Sequence, residues 1–191
     1  MKKTTLLFAL SMIILASCGN KKTTVSLSKY ADTANYFAEK IAAFESKQDM
    51  SDIDVFMQMA DSAENQKQVA NQVLQSMFSA VEDTLFLPFE QTINTEKINI
   101  LSVWVAGMEF DKVLIEAKVE AKDNSSFMGP HAGLVVLDRG KNRMEVGGGI
   151  QGPTDEKLDV GKIYTFTGTI NHLHLLSNFK SLVFDEEIKK W

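Results

Sequence analysis

Val113-Leu114-Ile115-Glu116-Ala117-Lys118-Val119-Glu120-Ala121-Lys122 decides the fold class. Val113, Ile115, Ala117, Val119 and Ala121 are apolar, and between them stand Leu114, Glu116, Lys118, Glu120 and Lys122. Successive side chains of a strand point to opposite faces, so this period of two predicts a half-buried strand with a charged outer face. Further strands are predicted over 98–106, 132–138, 144–149, 162–170 and 180–185, and Gly, Asn, Asp and Pro fill the connections. Six strands with no helix between them predict an antiparallel β-sandwich or a small OB-like barrel over residues 95–188. Two of them are apolar on both sides. Leu101, Val103 and Val105 alternate with Ile100, Trp104 and Ala106, and Leu134-Val135-Val136-Leu137 has no polar face. Such strands need cover on both faces, which places a helical layer near Trp104.

Upstream the period changes. Leu27, Tyr30, Ala34, Phe37, Ile41 and Phe44 recur every three or four residues, the spacing of one helical stripe, with Ser26 or Ser28 available as a cap. A second stripe, Phe56, Met59, Ala63, Gln66, Ala70, Val73, Met77 and Ala80, follows Asp52, a suitable N-cap, and runs to about Asp83 before Pro88. The short connection between them predicts an antiparallel helical hairpin over 27–87, with Asn65, Gln68, Asn71, Gln72 and Gln75 on its solvated face. The fold class is therefore α+β: helices first, strands after.

The chain begins with Met1-Lys2-Lys3, an apolar run from Leu6 to Ala16 that is too short to span a bilayer, and Leu15-Ala16-Ser17-Cys18. This start resembles the signal and lipobox of bacterial lipoprotein precursors. The resemblance implies that residues 1–17 are removed, that Cys18 is acylated, and that 18–26 form a tether from a membrane surface. Gly19 in place of Asp implies the outer membrane, with the domain facing the periplasm or the cell surface. Cys18 is the only cysteine of the 191 residues, so no disulfide can form within the chain.

Twenty basic and 25 acidic side chains give a formal charge of −5, and loss of Lys2 and Lys3 with the leader makes it −7. A negative surface disfavours nonspecific nucleic-acid binding, which depends on neutralising phosphates. Gly147-Gly148-Gly149-Ile150-Gln151-Gly152 has the letters of a dinucleotide fingerprint, yet Pro153 and a charged stretch follow instead of a helix. Glycines at a strand end then mark a bulge or a close backbone approach. His172 and His174 would share a face of a strand and could hold zinc, with His131 or Asp185 completing the shell. A zinc-dependent hydrolase is the weakest of three functional expectations. No nucleophile motif is present and no cofactor is implied.

Leu158-Asp159-Val160-Gly161-Lys162-Ile163-Tyr164-Thr165-Phe166-Thr167-Gly168-Thr169-Ile170 is similar to strand entries in the OB-like barrels and immunoglobulin-like sandwiches of bacterial lipoproteins. A second expectation is an OB-type binder that holds an oligosaccharide or similar polar polymer on the sheet face, with Trp104, Tyr164 and Phe166 as the stacking groups. Phe127, in a polar loop, is a further contact candidate. The first expectation is a non-enzymatic envelope module, anchored through Cys18, that binds or assembles with another envelope protein.

Overall fold

The apolar stripe from Leu27 winds into α1 (Leu27–Glu45), and Asp52 starts α2 (Ile53–Ser79), in a computed structural model that describes residues 26–91, 97–123, 131–153 and 157–185. The Asp52 carboxylate accepts from the amides of Asp54 at 3.1 Å and Val55 at 3.2 Å, satisfying two donors that the helix start leaves open. Ser26 takes the N-cap position of α1 without a capping side-chain bond. α2 stops at Ser79, short of Asp83. The helices pack together, with Thr33 donating to Met77 Sδ near the start of α1 and Lys67 meeting Glu45 near its end. Leu27, Tyr30, Ala31, Ala34, Phe37 and Ile41 of α1 and Ala63, Ala70 and Leu74 of α2 are buried.

Seven strands follow among the described residues: β1 (Phe89–Gln91), β2 (Ile98–Met108), β3 (Lys112–Ala121), β4 (His131–Asp138), β5 (Gly148–Gln151), β6 (Ile163–Asn171) and β7 (Phe179–Asp185). They make one curled sheet, a half-barrel, in the order β1-β7-β4-β5-β6-β3-β2. The sheet is mixed, because β1 runs parallel to β7 while the other pairs are antiparallel. This corrects the purely antiparallel expectation. The additional strand is three residues behind Pro88, too short to show a period. The stretch before it turns to the opposite edge: Leu87 N–H donates to Val103 O at 2.9 Å and Val105 N–H to Leu85 O at 3.0 Å. The Gln91 amide then bridges to β2, donating to Ile98 O at 3.1 Å and accepting from Ile100 N–H at 2.7 Å.

β2 resolves the strand that is apolar on both sides. Register shifts fall between Ile100 and Ser102 and between Val105 and Gly107. Each shift changes the phase of the alternation. Ile98, Ile100, Val103, Val105 and Met108 therefore all point inward, while Leu101, Trp104 and Ala106 point outward. The outer face needs no helical cover, and Trp104 instead meets Phe86 edge-on, with ring centroids 6.5 Å apart. Only the end of α2, at Phe78 and Ser79, shares a recess with Trp104 and Ala106. α1 lies on a short 3-10 turn, Leu173–Asn178, whose Leu173 and Leu176 are buried, and α2 touches β2. Asn71, assigned by spacing to the solvated face, accepts from Phe110 N–H at 2.7 Å and ties α2 to the β2–β3 turn. One hydrophobic core joins helices and sheet, running from Leu27, Tyr30 and Leu74 to Phe166, Leu182 and Phe184.

Candidate functional site

Strand register brings five side-chain positions into one line across the outer face of the sheet. His131 on β4 is opposite Gln151 on β5, Gln151 is opposite Thr167 on β6, Thr167 is opposite Glu116 on β3, and Glu116 is opposite Trp104 on β2. At about 4.8 Å per strand the row is roughly 19 Å long. His131, Gln151 and Thr167 are exposed; Glu116 and Trp104 are half-buried. At the Trp104 end, Phe86 is 62% exposed and extends the aromatic surface.

The His131 end opens into a cleft of about 1010 Å³. Its floor is the next row of the sheet, Gly133, Gly149 and Thr169, where two missing side chains leave the backbone bare. Its wall is residues 143–147, where β4 and the strand leading into β5 separate after Met144 N–H has bonded Val136 O at 2.9 Å. Arg143 and Glu145 on this wall are exposed and make no side-chain hydrogen bond or ion pair among the described residues. A smaller cleft of about 460 Å³ adjoins Trp104 and Glu116 at the other end. The row thus joins two recesses, with one aromatic end and one end carrying charges of both signs.

The other residues singled out in the sequence fall differently. Phe166 is fully buried in the core, with 0% exposure, because β6 alternates Phe166 and Ile170 inward against Thr165, Thr167 and Thr169 outward. Tyr164 shares the inward phase, and its phenol oxygen accepts from Asp159 N–H at 2.8 Å. Neither shares a face with Trp104, so the expected aromatic trio reduces to Trp104. Phe127, Cys18 with the leader, and the tether as far as Val25 lie outside the described residues.

His172 and His174 are not on a strand. His172 takes a left-handed backbone (φ 56°, ψ 54°) at the start of the 3-10 turn that holds His174. Their rings still meet edge-on, with centroids 5.9 Å apart. His131 is level with Thr167, five residues before His172 along the β6 direction, which is roughly 16 Å. The three histidines of the zinc expectation are therefore not brought together, and among the described residues no group of three or more His, Cys, Asp or Glu side chains is arranged so that it could hold a metal ion.

His174 has a different consequence. Its Nδ1 is buried without a hydrogen-bond partner. Burial first, and the neighbouring His172 second, hold its pKa below the ordinary value for histidine. The unfolded chain therefore takes up this proton at a higher pH than the folded one. Stability is fully present above about pH 6.5 and falls as pH drops from there towards the lowered folded value, where the decline levels off. Urea melts of the native chain and His174→Gln between pH 7.5 and pH 5 check this: the variant is expected to show a shallower decline. Equal slopes would remove His174 as the cause.

Comparison with protein-family models, with curated proteins and with solved structures finds no match to this chain. No described helix is long and apolar enough to cross a membrane.

Proposed function

We propose that this chain is a non-enzymatic binding module of the bacterial cell envelope, held to the outer membrane through acyl chains on Cys18, that lays a linear, hydroxyl-rich ligand across the outer face of its sheet. The observation that carries the ligand is the cross-strand row from His131 through Gln151, Thr167 and Glu116 to Trp104. Trp104 with Phe86 supplies an apolar platform of the kind that stacks on a sugar ring. The amide, hydroxyl and carboxylate along the row supply hydrogen-bond donors and acceptors spaced by the strand separation. In this reading the sheet acts as a small OB-like barrel and the helices as an antiparallel hairpin. The lipobox resemblance supports the anchor.

Two measurements test it. Trp191→Phe leaves Trp104 as the fluorescent reporter, and envelope oligosaccharides are expected to change its emission saturably. Trp104→Ala, followed by calorimetry, is expected to weaken that binding about tenfold or more, with little loss of stability, because the side chain is only half-buried. No saturable change with any oligosaccharide would end the sheet-face reading. Separately, Cys18→Ser is expected to move the protein out of the membrane fraction; retention there would end the anchoring reading.

A further inference from the structure

The turn that joins α1 to α2 carries, with the start of α2, apolar side chains that the core does not bury. Met50 is 83% exposed, Ile53 65% and Met57 56%. Ile53 and Met57 are one helical turn apart at the start of α2, and Met50 lies in the turn just before it, so the three form one patch. They are off the Ala63–Ala70 stripe that packs against α1. Around them stand Asp49, Asp52 and Asp54, all exposed, with Lys47 as the cation of the same turn. The Asp49 carboxylate accepts from the Ser51 hydroxyl at 2.7 Å and the Ser51 amide at 2.9 Å, which hold it in its charged form below the usual carboxylate range.

We propose that this patch docks into a protein partner that presents an apolar pocket rimmed by lysine or arginine. Charge decides among the candidate occupants. A second copy pairing through the same patch would set three aspartates against three aspartates. Helices that lie on lipid surfaces carry Lys and Arg beside their apolar face, and this one carries acids. A basic rim instead complements the aspartates while its pocket removes Met50, Ile53 and Met57 from water. The patch shares no residue with the sheet-face row.

A photo-cross-linking side chain placed at Met57 in the full chain, within the native envelope, tests this. The expected adduct is with a different protein, mapped by mass spectrometry to an apolar segment flanked by Lys or Arg. Asp54→Lys is expected to lower its yield about fivefold, the effect of about 1 kcal/mol at a charged rim, and Ile53→Asp to abolish it. Ile53 is exposed, so Ile53→Asp should hold its melting temperature; Asp54→Lys sets a cation in the first turn of α2 and is expected to lower it slightly. The native chain in isolated envelopes is therefore read beside both, and its adduct is expected to be lost at high salt. Adducts only to a second copy, adducts only to lipid, no adduct, or a yield indifferent to both Asp54→Lys and salt would each overturn the proposal.

Discussion

Alanine at Gly168 is expected to destabilise the protein by at least about 3 kcal/mol, and to lower its melting temperature by roughly 6–12 °C for a domain of this size. A Cβ there would stand 1.9 Å from the carbonyl oxygen of Gly149. That neighbour is backbone of the adjoining strand, so relief requires β5 and β6 to move apart. Gly148, on the other side of the same ladder, has the same problem: its Cβ would meet Thr169 O at 2.1 Å. Gly148 and Gly149 of the run with fingerprint letters are therefore explained by strands that approach too closely for side chains. Gly147→Ala is the control, since the nearest atom to its Cβ is Asn171 Nδ2 at 3.9 Å. Scanning calorimetry of the three variants separates these positions. Similar melting temperatures for Gly168→Ala and Gly147→Ala would refute the close approach.

Phe166→Ala is the second large effect, with an expected loss of about 3–5 kcal/mol. The ring is completely buried, and Gly152 lies against it so closely that a Cβ there would stand 2.7 Å from Phe166 Cζ. Removing the ring leaves a cavity among Phe184, Ile170 and the other side chains of the same core. The sequence places Phe166 and Trp104 in one ligand-contacting group, whereas the fold puts them on opposite faces. Calorimetry together with Trp104 fluorescence therefore discriminates. Phe166→Ala should lower the melting temperature sharply, and Trp104→Ala should spare it while weakening the ligand. If Phe166→Ala left the melt unchanged and abolished binding, the assignment of faces would be reversed.

Local pattern makes much of this fold legible. Alternation from Val113 marks β3 with its ends off by one residue, and three- and four-residue spacing marks both helices and the Asp52 cap. What stays hidden depends on distant partners. The two register shifts in β2 are invisible to a period-two pattern, in which their phase changes look like a strand needing cover on both sides. The 3-10 turn looks like a connection because its histidines and asparagine mask the three-residue spacing of Leu173 and Leu176. The row across the sheet has no signature along the chain at all. Its five members lie on five strands, and only the pairing registers make them neighbours.

The parallel pair β1–β7 also bears on when this molecule can finish folding. Phe89, just past the helices, is matched with Leu182, and Gln91 with Phe184. Both edges of the sheet depend on the stretch around Pro88, because its one side bonds Leu182 and its other bonds β2. A growing chain can form the local β2–β3 ladder early, but β1 must wait for β7 to arrive. Contacts so far apart in sequence slow folding and leave an unpaired edge meanwhile. The β1–β7 pair therefore closes only once β7 is in place, and the complete sheet is reached in one late step.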